Sequence, residues 1–84
     1  IPENRFDRVI LVTVLGEIPD RDQAADEIFR ALKPGGILLI EETIRDPHFQ
    51  TRATVRELAG RHGFVEMGLY PTIFSYTILL RRPA

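Results

Sequence analysis

Apolar and polar positions alternate along this chain in blocks whose periods change from strand-like to helical and back. Val9 to Val14 is an apolar run rich in β-branched residues, short and flanked by polar groups, as expected of a strand covered on both faces in a parallel sheet. Pro19 and Asp20 interrupt it. Asp20 is placed to cap a helix, with Gln23 at the third helical position completing a capping box. Ala24, Ala25, Ile28, Phe29 and Leu32 then recur at helical spacing, with Arg21, Asp22, Asp26, Arg30 and Lys33 on the outside. Pro34 ends the helix, having no amide hydrogen and restricting Lys33. Pro34-Gly35 suits the centre of a type II turn, where Gly35 supplies the positive φ.

Ile37 to Ile40 is the second buried strand, closed by Glu41 and Glu42. A polar connection from Arg45 to Gln50 leads to a second helix, for which Thr54 and Glu57 make a capping box, Val55, Leu58 and Ala59 an apolar face, and Gly63 the stop. Phe64 to Tyr70 and Phe74 to Arg82 are two further strands, separated by too few residues for a crossover and therefore antiparallel. The predicted order is β-α-β-α-β-β, an α/β architecture with parallel pairing across the helical crossovers.

At 84 residues the chain holds one small domain, expected to be a partial one. Its 44% apolar and 27% charged content is that of an ordinary globular protein. A net charge of -1 with scattered arginines points to neither nucleic acid nor an anionic membrane as partner. The absence of cysteine fits a reducing cytoplasm, and no apolar run approaches the ~18 residues of a membrane span. The opening residues, Ile1 to Arg5, read as the middle of a longer protein.

Several segments together resemble the class I S-adenosylmethionine-dependent methyltransferases of the type 11, UbiE-like kind. Phe6-Asp7-x-Val9 is similar to the start of that family's fourth strand, and Val14 to Asp20 to the turn that follows it. Glu27 to Gly36, ending Leu32-Lys33-Pro34-Gly35-Gly36, resembles the signature before its fifth strand. Leu58 followed by Gly63-Phe64 looks like its later helix-to-strand junction. The match covers nearly the whole chain and corresponds to the family's C-terminal half. The resemblance implies a partial Rossmann-like sheet of strands 4, 5, 6 and 7 in the order 4-5-7-6, with the last strand antiparallel.

It also implies S-adenosylmethionine as cofactor of the full-length protein and a small-molecule methyl acceptor. Val14, Leu15 and Gly16, just after the first strand, would border the cofactor. Glu17 is the candidate catalytic group, and Glu17, Glu41, Glu42 and His48 are substrate-side candidates. The family's His-His turn is replaced here by Gly16-Glu17, so no base assignment carries over. The glycine-rich cofactor loop has no counterpart, because Gly35-Gly36 precedes a strand rather than following one. The isolated segment is therefore expected to be inactive and not to bind the cofactor. No metal site is expected, since His48 and His62 lack ligand-spaced partners; His62 is read as a dipole contact at a helix end, and Tyr70 and Tyr76 as sheet residues with a polar tip.

Right-handed crossovers progressing in one direction place both helices on one sheet face. Yet the first two strands are apolar on both faces. The uncovered face and the open edge of the first strand predict a homo-oligomer of the segment, or docking of the missing N-terminal half. A non-catalytic assembly module using the same half-fold is the alternative function.

Overall fold

The computed structural model describes residues 3–46 and 49–84. β1 (Phe6–Val12) leads through a short 3-10 turn (Leu15–Glu17) to α1 (Arg21–Ala31), then β2 (Leu32–Thr43), α2 (Arg52–Arg61), β3 (Val65–Pro71) and β4 (Ser75–Arg81). The four strands form one sheet in the order β1-β2-β4-β3. β1 runs parallel to β2, and β4 is antiparallel to both its neighbours. This is the 4-5-7-6 arrangement expected from the sequence.

Asp20 caps α1 as read, accepting the Gln23 backbone N–H at 2.9 Å. The reciprocal half of the box is not made, because the Gln23 side-chain amide turns to Glu27 instead. The helix stops at Ala31, before Pro34, and Leu32 already belongs to β2. Phe6 pairs with Leu32 and Arg8 with Ile37, so residues 33–36 bulge from the ladder. Gly35 takes the expected positive φ of 84° there. Gly36 is required for a different reason: a Cβ on it would lie 2.8 Å from the Lys33 carbonyl oxygen and 3.2 Å from that of Asp7.

Arg82 ties this knot together. Its backbone exchanges hydrogen bonds with Gly35 and Gly36 at 2.8 and 2.9 Å. Its guanidinium donates to the carbonyl oxygens of Phe29 and Leu32 at 2.9 and 2.6 Å and stacks 4.7 Å from the Phe29 ring centroid. A cation thus satisfies the carbonyls that a helix C-terminus leaves unpaired.

α2 begins one turn earlier than the Thr54–Glu57 pair suggests. Thr51 is the cap, and its hydroxyl accepts the Thr54 N–H at 3.2 Å. Gly63 ends the helix at φ 87°. Both helices lie on one face, over Leu38, Ile40, Tyr76, Ile78 and Leu80, and Val55, Leu58 and Phe64 complete the core. The opposite face has no cover: Ile10 is 61% and Met67 56% exposed. Among the described residues no helix is long and apolar enough to cross a membrane.

Gly36→Ala should lower stability to chemical denaturation by about 1–3 kcal/mol, the usual cost of overpacking a close backbone contact. An unchanged midpoint would show that residues 33–36 yield without cost.

Candidate functional site

In open α/β sheets ligands bind beyond the carboxyl ends of the parallel strands. Here that edge carries the end of β1, the 3-10 turn, the end of β2 and the tip of the β3–β4 hairpin. Thr13 lies just past β1 at φ 53°, a left-handed conformation that costs a β-branched residue energy. Its N–H still reaches the Glu41 carbonyl at 2.9 Å, so the parallel ladder continues through the bend. The Thr13 hydroxyl donates to the Val12 carbonyl at 2.7 Å. Local strain of this kind recurs where a fold must aim a segment at a ligand.

The bend separates the three residues that the sequence grouped as cofactor-bordering. Val14 is exposed at the edge and Gly16 is half-buried. Leu15 is buried in the core cluster with Ala25 and Val55, so its side chain faces away from the edge. The Leu15 carbonyl accepts from Arg21 Nε at 3.2 Å, which fixes the turn against the start of α1. Glu17 is exposed, with no side-chain hydrogen bond or ion pair to another described residue.

Glu41 and Glu42 face opposite sides of the sheet, as strand alternation requires. Glu41 lies on the uncovered face, within 3.5 Å of the Thr77 hydroxyl. Glu42 is on the helical side and only 1% exposed. One of its oxygens accepts the Gln50 N–H at 2.9 Å, and the other has no hydrogen-bond partner among the described residues. Tyr76 donates its hydroxyl to the Gln50 carbonyl at 2.5 Å, so both main-chain groups of Gln50 are held from the sheet. The Phe49 ring meets Tyr76 edge-on, with centroids 6.0 Å apart.

Burial pushes the Glu42 carboxyl above its ordinary value, against the opposing effect of the Gln50 hydrogen bond. Nearby Asp46 adds to the rise and Arg21 counters it. Burial, followed by the charge of Glu42, pushes the Tyr76 phenol up to about 12.

His48 lies outside the described residues. His62 departs from its reading as a simple dipole contact: its Nε2 is 2.7 Å from Asp22, which also accepts from Arg61 at 2.9 Å. Those bonds, from His62 first and then Arg61, lower the Asp22 carboxyl. The cluster ties the end of α2 to the first turn of α1. Neither the His62–Asp22 tie nor the Tyr76 hold on Gln50 was visible in the sequence, because they join groups 40 and 26 residues apart. Among the described residues no three His, Cys, Asp or Glu side chains come together as a metal site.

A carboxyl raised by folding is most favourable while protonated. Its contribution is present below the ordinary value of 4.5 and is lost as pH rises through the higher folded value. Denaturation of Glu42→Gln and wild type should therefore diverge in favour of the variant as pH climbs from about 4.5 toward neutrality. A pH-independent difference would show that the carboxyl titrates normally.

A methyltransferase-domain family model matches residues 1–40. The ubiquinone/menaquinone biosynthesis C-methyltransferase UbiE of Pseudoalteromonas translucida is 32% identical over 72 residues, covering 86% of this chain and 26% of that protein. A crystal structure of a SAM-dependent methyltransferase from Aquifex aeolicus matches 98% of this chain and 48% of its own, with TM-score 0.87 at 13% identity. The [4+2]-cyclase SpnF matches all of this chain and 52% of its own, also at TM-score 0.87, with 16% identity. The chain thus spans 15–26% of the curated relatives' lengths and about half of these solved chains. Signature residues, family model and fold agree in one likeness: the chain is similar to the class I S-adenosylmethionine-dependent methyltransferases, and among them to UbiE.

Proposed function

We propose that this chain supplies one wall of the catalytic cleft of a methyltransferase acting on a small-molecule acceptor. The observation that carries this reading is the strained bend at Thr13, which ends β1 and turns Val14 to Glu17 along the carboxyl edge of the sheet. The residues present fit one side of a cofactor and not a whole site. Val14 offers an exposed apolar side chain and Gly16 a backbone without a side chain, suited to contact with a thioether chain or a purine. The chain's paired glycines are at the other end of β2, where Gly36 is filled in by neighbouring backbone. They leave no cradle for the nucleoside.

S-adenosylmethionine, when bound, supplies a methyl group already activated by a sulfonium. The protein's own work is then mainly alignment, with a base where the acceptor must lose a proton. Glu17, exposed beside the bend and with no ion pair among the described residues, is suited to take that proton from an acceptor hydroxyl, amine or acidic carbon. Glu42 and Tyr76 act one step further back, holding Gln50 and with it the connection that borders the acceptor side. They are positioning residues. The absence of cysteine fits a cytoplasmic setting. A second reading, an assembly module without chemistry, is favoured by the uncovered sheet face.

Calorimetric titration of the 84-residue chain with S-adenosylmethionine should give no saturable binding, whereas a full-length protein containing it should bind below millimolar concentration. Tight binding by the short chain would contradict the one-wall reading, and no binding by the full-length protein would favour the assembly module. In the full-length protein, Glu17→Gln should lower kcat by about 10²–10⁴-fold, the range of a general base, with cofactor affinity kept. Unchanged kcat removes Glu17 from the chemistry.

A further inference from the structure

Glu42 is buried by elements of this chain alone, on the helical side of the sheet. Across the ladder it is the register partner of Tyr76 on β4. From the connection, Gln50 donates its backbone N–H to one carboxyl oxygen at 2.9 Å. The other oxygen has no hydrogen-bond partner among the described residues, and no cation among them forms an ion pair with either. The charged and titratable groups that face the carboxyl are Asp46 from the connection, Arg21 from α1 and the Tyr76 phenol from β4. Arg52, at the start of α2, acts on the phenol. Arg21 favours the ionised carboxyl from a distance, with its Nε donated to the Leu15 carbonyl at 3.2 Å.

Gln50 is gripped at both main-chain groups, its N–H by Glu42 and its carbonyl by the Tyr76 hydroxyl. The next residue, Thr51, caps α2: its hydroxyl accepts the Thr54 N–H at 3.2 Å and its carbonyl the Val55 N–H at 3.0 Å. The grip on Gln50 therefore fixes where the first turn of α2 begins.

We propose that Glu42 is a proton-operated latch on the start of α2. With its proton it stays in the core and holds Gln50; on losing the proton, the carboxylate leaves that seat and frees Gln50 and the first helical turn. An ionised carboxyl gives up its water on burial, and the described residues return one N–H to it. A neutral carboxyl gives up far less. The strands on either side are locked in the ladder, so the connection is the part that yields.

The two halves of the grip respond differently to pH. Burial pushes the Tyr76 phenol up to about 12, so its bond to Gln50 persists through neutrality. Burial also raises the Glu42 carboxyl, whereas opening returns it to water and to its ordinary value of 4.5. The latch is thus fully closed below 4.5, weakens as pH climbs toward the raised value, and weakens no further above it. The inference does not rest on the proposed methyl transfer, and reading it requires neither cofactor nor acceptor.

Hydrogen exchange by mass spectrometry on a full-length protein containing this chain tests it, with rates corrected for intrinsic exchange at each pH. The peptides to follow carry the Gln50, Thr54 and Val55 amides, with α1 as internal reference. Between about pH 4.5 and 8 their protection should fall by up to about tenfold per pH unit and then level, while α1 keeps its own. Glu42→Gln cannot ionise and should hold protection constant over that range. Tyr76→Phe removes the half that does not titrate. It should lower protection about two- to tenfold at every pH and keep the wild-type slope, an independent check should Glu42→Gln fail to fold. A wild-type fall of less than about threefold would overturn the proposal. So would an equal fall in α1, which reports global unfolding, a Glu42→Gln profile as steep as wild type, or a flat Tyr76→Phe profile.

Discussion

The constraint on which the rest of this molecule depends is the common direction of its two crossovers. The sheet advances from β1 to β2 and then, leaving room for β4, to β3. Right-handed crossovers taken in the same direction return their helices to the same face. α1 and α2 therefore share one side and a common core, while the other side of a sheet built from doubly apolar strands stays bare. The final hairpin inserts β4 between β2 and β3, which puts Tyr76, Ile78 and Leu80 under the helices and Thr77, Leu79 and Arg81 on the open side.

That layering explains why the two ends of the sheet differ in character. At the amino end, Arg82 and the glycines of the 33–36 bulge bind the helix terminus, the chain start and β4 into one hydrogen-bonded knot. At the carboxyl end, backbone is bent rather than tied. Thr13 sits in a strained conformation, and a buried carboxyl, one of whose oxygens has no hydrogen-bond partner among the described residues, helps hold the next connection. A carboxyl buried with a single hydrogen bond among the described residues and a left-handed threonine both cost stability. Their coincidence on the ligand-binding edge of an α/β sheet is what function, rather than packing, would maintain.

Much of the fold was legible because its signals are local. The β-branched run of β1, the Asp20 cap and the two glycines at positive φ each follow from a few neighbouring residues. The family signature then gave the strand order, which local periodicity alone does not. The start of α2 was misplaced because Thr51 and Thr54 are equivalent as local caps. Thr51 begins the helix in a chain whose preceding residue, Gln50, is held from the sheet by Glu42 and Tyr76.

The candidate site divides along the same line. By itself the sequence determined which residues lie at the carboxyl edge, that Glu41 and Glu42 point apart, and that one apolar face would go uncovered, since strand alternation and crossover handedness need no coordinates. Only the tertiary structure decided that Leu15 turns into the core while Val14 stays out, that Glu42 is the buried carboxylate, and that His62 pairs with Asp22. The physical reason is range. A side chain's burial and partners depend on groups brought together from distant parts of the chain, and the linear pattern carries no measure of that distance.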